Sequence, residues 1–434
     1  MAERLDDQPA GAHRLRASAP GRVAFLLDDL DGGGVQRTTL VLAGEFARHG
    51  HAPDLLVCRA DGEFLELVPE GVRLLELERS SALRGCRVAL RGDRRIGAAL
   101  AGDLALRRRR LPHLDRLPAL AGYLAAERPA CLIAATTRIN VLAVLAARAS
   151  GAPVRTLLTE RISVSAKLAD RRWRRLLPLM RRSYPLASRV VAVSEALADD
   201  VAVRVGLPRR DVVAVHNPVI DPDFAKELEA PLDHPWFAPG APPVVLSAGR
   251  ISAQKDFETL LRAFERVRRA QPCRLVILGK NHDGRKRDAR RQRLLALARE
   301  LGVADDVDLP GFVLNPFPYM ARAGVFVCSS RYEGLPGSLI QAMACGAPVV
   351  STDCPTGPRE ILAGGRFGAL VPVGDAAAMA DAIAAALDAP PPRERATARA
   401  HWFSVARAFA RYRELAFPGA PGSPASLGTS ASLP

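Results

Sequence analysis

The stretch Ser330-Arg-Tyr-Glu333-Gly-Leu-Pro-Gly-Ser-Leu-Ile-Gln341-Ala-Met-Ala-Cys-Gly-Ala-Pro348-Val-Val-Ser-Thr-Asp353 decides the fold of this chain. The apolar run Gly324-Val-Phe-Val-Cys328 precedes it and reads as a buried parallel strand. That strand must end near Ser329 and Ser330, because Gly334, Pro336 and Gly337 punctuate a loop. Residues 339–345 are helix-compatible up to Gly346, which fits a C-cap, and residues 348–351 form a second apolar run. The order is strand, glycine-bearing polar loop, short helix, strand. Ligands of open α/β sheets sit at the carboxyl ends of the strands, beside helix N-termini that favour anions. Glu333 falls on that loop, and Gln341 follows eight positions later in the first turns of the helix.

The same alternation runs outward in both directions. Strands are expected at residues 22–30, 53–58, 73–77, 131–135, 154–159, 189–194 and 212–216, with helices at 35–49, 119–127 and 195–204. A second series starts at residues 243–248 and continues with strands at 275–278, 307–309 and 369–373 and helices at 257–269, 288–301, 316–323 and 376–387. The two series are separated by residues 217–241, rich in Pro and Asp, which read as a linker. At 434 residues the chain exceeds one ordinary core, so two domains are expected, at 20–216 and 242–400. Residues 1–19 lack periodicity and read as a disordered arm, and residues 417–434, rich in Gly, Pro, Ser and Ala, as a disordered tail.

Composition narrows the partners. Hydrophobic residues make up 48%, which suits a packed globular chain, and no apolar run approaches the ~20 residues of a membrane span. The seven cysteines are scattered from Cys58 to Cys354 with neither metal-ligand spacing nor a disulfide framework, which fits a reducing cytoplasm. A net charge of +15 asks for nucleic acid, an anionic membrane or phosphorylated ligands, unless it is only a solvated arginine surface. No nucleic-acid module is recognisable, and aromatics at 5% are too few for stacking platforms, so nucleic acid is not expected as a partner.

The central stretch resembles the donor-sugar signature of glycosyltransferase family 4, retaining enzymes of the GT-B fold. The family signature is Glu, seven residues, Glu; here the second position is Gln341. The resemblance extends to SAGRISAQKDFETLLRAF from Ser247, LVILGK from Leu275, VDLPGFVLNP from Val307 and STDCPTGPREIL from Ser351. It also takes in GGGVQRTTLVLA from Gly32 and VSEALADDVAVRVGL from Val193. It implies an α/β architecture of two Rossmann-like doubly wound domains facing across a cleft, with a last helix at 401–416 returning to the first domain. It further implies transfer of a hexose or N-acetylhexosamine from a UDP- or GDP-linked sugar to a glycan or lipid-linked acceptor in envelope or exopolysaccharide synthesis, with no metal and no other cofactor. A nucleotide-sugar 2-epimerase and a catalytically silent partner subunit are the alternatives. The epimerase needs further carboxylates and a His in the cleft that the sequence does not locate, and a silent subunit would have lost Glu333 or Arg250.

Residue by residue, the resemblance implies that Arg250 and Lys255 hold the diphosphate and Glu333 faces the donor sugar. The backbone of Gly249, Gly334 and Leu335, with Ser338, would line the donor, and Gln341 would bond the ribose. Asn315, at the end of the 312–315 stretch, would lie where the base is read. The glycine loop with Gly33 and Gly34 would reach towards the phosphates, and Asn140, Glu160 and Arg161 would form the acceptor side. Arg161 stands where related enzymes often carry a His, so no catalytic His is assigned.

Each of these has a plainer reading. An Arg and a Lys five residues apart are ordinary, and a glycine turn alone is weak evidence for phosphate binding. Glu333 could be a loop carboxylate capping the helix after it. Ser338-Leu-Ile-Gln341 fits a capping box. His216, before Asn217-Pro218, reads as structural.

Two cationic segments remain. Residues 79–116 interleave Arg84, Arg87, Arg91, Arg94, Arg95 and the run 107–110 with Leu83, Val88, Leu90, Ile96, Leu100, Leu104 and Leu106, and residues 171–182 read RRWRRLLPLMRR. Both fit a helix lying on an anionic lipid surface and equally a solvated helix. The expected location is the cytoplasm, or its inner membrane face if these segments bind lipid.

Overall fold

The computed structural model describes residues 21–31, 33–106, 111–221, 224–279 and 287–419. The arm expected at 1–19, the run 107–110 and the tail from 420 lie outside the described residues.

The first sheet holds β1 (Arg22–Leu27), β2 (Ala52–Val57), β3 (Arg73–Glu76), β4 (Cys131–Ala134), β5 (Arg155–Glu160), β6 (Arg189–Ala192) and β7 (Val212–Ala214). All its pairings are parallel, in the order β3-β2-β1-β4-β5-β6-β7. The second sheet holds β8 (Val244–Ala248), β9 (Arg274–Leu278), β10 (Val307–Gly311), β11 (Val325–Cys328), β12 (Val349–Thr352) and β13 (Ala369–Val371). It too is parallel, in the order β10-β9-β8-β11-β12-β13. The inner strands are buried on both faces, as the continuous Val/Leu/Ile runs require, while the edge strand β3 stays partly exposed. The order reverses between β1 and β4 in one sheet and between β8 and β11 in the other. Loops leaving those four strands meet at the switch points where such sheets bind ligands.

Helices cover both sheets, and several start on a side-chain cap. Ser194 accepts from the backbone N–H of Leu197, and Asp375 from those of Ala377 and Ala378. The segment between the sheets is folded onto the second domain rather than free. His234 lies 3.0 Å from Asp308, and the Arg274 guanidinium sits 5.1 Å over Trp236. At the end of the chain, the helix Val405–Ala416 buries Val405, Ala408, Phe409, Tyr412 and Ala416. That spacing puts one apolar stripe against the first sheet, where Phe409 meets Phe46 edge to face at 5.0 Å. Phe417, expected in the tail, instead stacks on His51 at 4.9 Å.

Candidate functional site

The loops after β8, β9 and β11 build the second domain's half of the site. β8 runs into Gly249-Arg250, and the backbone N–H of Gly249 donates to Leu278. A Cβ at Gly279 would sit 1.9 Å from the Gly249 carbonyl oxygen, and Gly279 has φ 154, so only glycine allows the two loops this close approach. After β11 the chain turns through Ser329 to Glu333. Ser329 donates to the Lys255 carbonyl at 2.7 Å, and Gln254 donates to the Tyr332 carbonyl at 2.9 Å, clamping the two loops together.

Lys255 Nζ donates to Glu333 Oε1 at 2.6 Å, and Ser330 Oγ donates to the same oxygen at 2.6 Å. Glu333 is 7% exposed. Burial opposes charge on Lys255, but Glu333 beside it wins and raises its pKa, while nearby Arg250 works the other way. Arg250 itself is exposed at the strand end. The cluster therefore holds two cations and a carboxylate at the switch point.

The first domain meets the backbone of this loop through one backbone and one side-chain donor. Ser163 N–H donates to the Glu333 carbonyl at 3.2 Å, and Ser194 Oγ to the Gly334 carbonyl at 2.9 Å. A Cβ at Gly334 would lie 2.1 Å from the Arg161 carbonyl oxygen. Arg161 Nη1 donates to Thr38 Oγ1 at 2.6 Å and to Asn217 Oδ1 at 2.7 Å. Its Nε is buried and unpartnered, no carboxylate among the described residues pairs with it, and burial lowers its pKa. Thr38 stands in the early turns of the helix Gly34–Arg48, whose N-cap is Gly33. An uncompensated guanidinium beside a helix N-terminus is a place for an anion.

Several sequence expectations change here. Asn140 and Glu160 are fully buried, so they do not face an acceptor. Glu160 accepts from Thr137, Asn140, Lys167 and Tyr184, a closed network that fixes β5 and the loop carrying Arg161. Asn315 is committed at both ends: its Nδ2 donates to the Glu227 carbonyl and its Oδ1 accepts from Phe317 N–H, so it does not read a base.

The capping box is absent as well. The helix Gly337–Ala344 is capped at Pro336 with no side-chain bond, which places Ser338 inside the helix and leaves Gln341 without a side-chain hydrogen bond among the described residues. Glu333 does not cap that helix either. Leu335 is buried and Ser338 partly exposed. His216 bonds Glu360 at 2.5 Å, joining the two domains.

Sequence reading missed a cavity of about 460 Å³ in the first domain, walled by Ala82, Leu100, Leu104 and Leu111 with Arg59 and His113 at its polar side. Arg59 donates to Asp29, which also accepts from Gln36 in the first turn of Gly34–Arg48, so the cavity is bonded to the glycine loop. Beside it, ligand atoms of Asp28, Cys58 and His113 lie within 4.8 Å of one another. Burial and Asp28 push the Cys58 thiol up to about 12. No spacing in the sequence announces this group, because it gathers the ends of β1 and β2 with a distant loop.

Two doubly wound domains, joined by a linker and by a returning last helix, with the site where their switch-point loops meet, define the GT-B fold. A solved structure of Anabaena HepE in complex with UDP and glucose superposes with a TM-score of 0.69 at 19% identity, covering 91% of this chain and 98% of that one. The profile described as "Glycosyltransferase Family 4" matches residues 32–221, and that described as "Glycosyl transferases group 1" matches residues 242–389. The chain belongs to glycosyltransferase family 4.

Among its relatives, a Campylobacter jejuni 4-alpha-N-acetylgalactosaminyltransferase, named for a diphospho-undecaprenol-linked acceptor, is 40% identical over 129 residues, 30% of this chain and 33% of that one. A lipopolysaccharide core biosynthesis glycosyltransferase of Rhizobium meliloti is 39% identical over 145 residues, 33% of this chain and 39% of that one. The chain thus spans well under two thirds of these relatives' length.

Proposed function

We propose that the chain is a retaining glycosyltransferase that moves a hexose or N-acetylhexosamine from a UDP- or GDP-linked donor to a glycan or lipid-linked acceptor in envelope or exopolysaccharide synthesis. The observation that carries this is the Arg250, Lys255 and Glu333 cluster at the switch point, facing Arg161 across the domain junction. The leaving diphosphate gathers negative charge as the sugar departs, and fixed cations in a dry site stabilise that charge with little reorganisation. Glu333, the hydrogen-bond partner of Lys255, would meet the positive charge that develops on the sugar. The names of the relatives and the UDP and glucose bound by HepE support the donor class. The acceptor is assigned to the first domain, with the 460 Å³ cavity next to the glycine loop as its entry. The 2-epimerase reading gains nothing, since His216 is committed to Glu360 and Glu160 is fully buried.

A thermal-shift screen of UDP, GDP, ADP and their sugars tests the reading. At about 100 times its Kd a ligand adds about 2.7 kcal/mol, so the cognate nucleotide should raise the melting temperature by several degrees. Stabilisation by none of them would overturn it.

Two further outcomes are expected. With Arg250 and Lys255 meeting the diphosphate, EDTA should leave turnover unchanged, and loss of activity restored by Mg²⁺ would sink this metal-free scheme. If Gln341 bonds the ribose, Gln341→Ala should weaken nucleotide binding by about 1 to 2 kcal/mol while Gln341→Glu keeps or improves it. Both variants should melt like the parent, because no capping box is there to lose. Equal nucleotide affinity in both would remove Gln341 from the donor site.

A further inference from the structure

We propose that Asp28, Cys58 and His113 bind a Zn²⁺ ion at the carboxyl end of the first sheet, and that the ion pins residues 111–116 there. One potential ligand atom from each lies within 4.8 Å of the other two. A tetrahedral zinc with bonds of about 2.0 to 2.3 Å sets its ligand atoms about 3.4 to 3.6 Å apart. The group therefore needs only a small contraction to close on the ion.

Two of the ligands follow from strand register. β1 and β2 pair in parallel with Leu27 opposite Val57, so Asp28 and Cys58 are the next residues on neighbouring strands. The backbone continues that match, since Cys58 N–H donates to the Leu27 carbonyl and Arg59 N–H to that of Asp28. Neighbouring strands lie about 4.8 Å apart, a spacing that lets two such side chains share one ion.

The third ligand comes from a segment fixed by other contacts. His113 has φ 61 and ψ 17, a left-handed backbone that a non-glycine residue keeps only where its surroundings impose it. Leu111 and Leu114 are buried on either side of it. Ser80 Oγ donates to the Asp115 carbonyl at 2.8 Å, and Arg79 pairs with the Asp115 carboxylate at 2.7 Å. His113 Nε2 is thereby held 3.2 Å from Asp28 Oδ1.

The plainer alternative is a His–Asp pair beside a buried free cysteine. Asp28 Oδ1 argues against it: the atom is buried, and His113 approaches it without making a hydrogen bond. A buried carboxylate oxygen left so is costly, and a cation between it and the imidazole removes the cost. Nearby guanidiniums are engaged elsewhere, Arg59 with Asp29 and Asp61 and Arg116 with the Leu77 carbonyl and Glu76. Thiolate, imidazole and carboxylate together suit zinc, whereas Mg²⁺ takes oxygen ligands. On binding, the Cys58 S–H bond gives way to an S–Zn bond and the proton leaves to solvent. Water completes the fourth tetrahedral position. His113 also lines the 460 Å³ cavity, so the ion would fix the shape of that wall.

The test strips the full chain with EDTA, removes the chelator and titrates in Zn²⁺ against a chromophoric chelator, with a phosphine reductant present. One equivalent should bind and raise the melting temperature, as any ligand of the folded state does, and Mg²⁺ should not replace it. Co²⁺ in its place should give thiolate-to-cobalt charge-transfer absorption in the near ultraviolet. All seven cysteines are buried, so loss of that band in Cys58→Ala identifies the thiol. Asp28→Asn and His113→Asn, the latter tolerant of positive φ, should each weaken zinc binding by about 100-fold or more. Both should melt like the stripped parent when metal-free, so lost binding is not lost folding. Absence of a zinc-dependent rise in melting temperature, or a cobalt spectrum without the thiolate band, overturns the proposal. Undiminished zinc affinity in Asp28→Asn and His113→Asn would mean an adventitious ion only. None of these readouts needs turnover, so the site stands or falls apart from the transferase reading and its metal-free diphosphate clamp.

Discussion

Lys255→Met should lower kcat/KM by about 10²- to 10³-fold, the range for losing one fixed group that meets developing charge. Lys255 is held at both ends of its role: its backbone carbonyl is bonded by Ser329 and its ammonium by Glu333 at 2.6 Å. Methionine keeps the length and the packing and removes the cation. It also leaves Glu333, 7% exposed, with Ser330 as its remaining donor. Breaking a buried pair in this way costs about 3 to 5 kcal/mol, so the melting temperature should fall as well.

The two losses separate in a double variant. Lys255→Met with Glu333→Gln should recover stability, because no charge is then stranded, and should stay inactive. A double variant that regains turnover would show that Lys255 serves only to neutralise Glu333. The pH dependence carries a sign of its own. The Lys255 pKa is raised, so its contribution to stability is complete below the ordinary lysine value and is lost only as pH rises through the higher folded value. Stability from this pair should therefore hold across neutral pH and fall only in the far alkaline range. A fall with a midpoint near neutrality would contradict the raised pKa.

Gly334→Ala is expected to cost about 10²-fold in kcat/KM with little change in melting temperature. The added methyl would meet the Arg161 carbonyl oxygen at 2.1 Å and its carbon at 2.5 Å, both backbone atoms that cannot swing aside. Relief has to come from moving one domain surface away from the other, which strains the bonds from Ser163 and Ser194 to this loop. A displacement of about 1 Å between groups that must converge on one substrate is enough for such a loss. The atoms nearest the added methyl, the Arg161 oxygen and carbon and the Ile162 nitrogen, belong to a loop between elements, so the sheet of each domain should melt close to the parent. Steady-state kinetics beside calorimetry decides the matter, and near-parent kcat/KM would mean that the junction seen here is not the geometry used in turnover.

Much of this molecule was legible in the sequence. Both parallel sheets followed from short apolar runs separated by helical periodicity, since a strand buried on both faces leaves an unbroken apolar signature. The loop carrying Glu333 followed from Gly334, Pro336 and Gly337, whose backbone preferences act within a few residues. Other expectations went wrong where a distant partner intervened. Glu160 and Asn140 looked like cleft residues at a strand end, yet Tyr184 and Lys167 close over them. Asn315 looked free to read a base, yet the linker's Glu227 carbonyl takes its amide. Ser338 looked like a helix cap, but Pro336 already starts the helix two residues earlier.

The division has one physical cause. Hydrophobic period, glycine and proline act through the local backbone, so the sequence by itself determined the order and kind of the elements and the chemistry offered at each loop. Which of those groups meet is set by packing between residues far apart in the chain. Only the tertiary structure paired Lys255 with Glu333 across seventy-eight positions, pressed Gly334 against Arg161 and left the Arg161 guanidinium without a carboxylate among the described residues. The same long-range packing turned Asp93, between the two basic helices, inward to Arg182, while Arg84, Arg87, Arg91, Arg94 and Arg95 face outward with no carboxylate partner among the described residues.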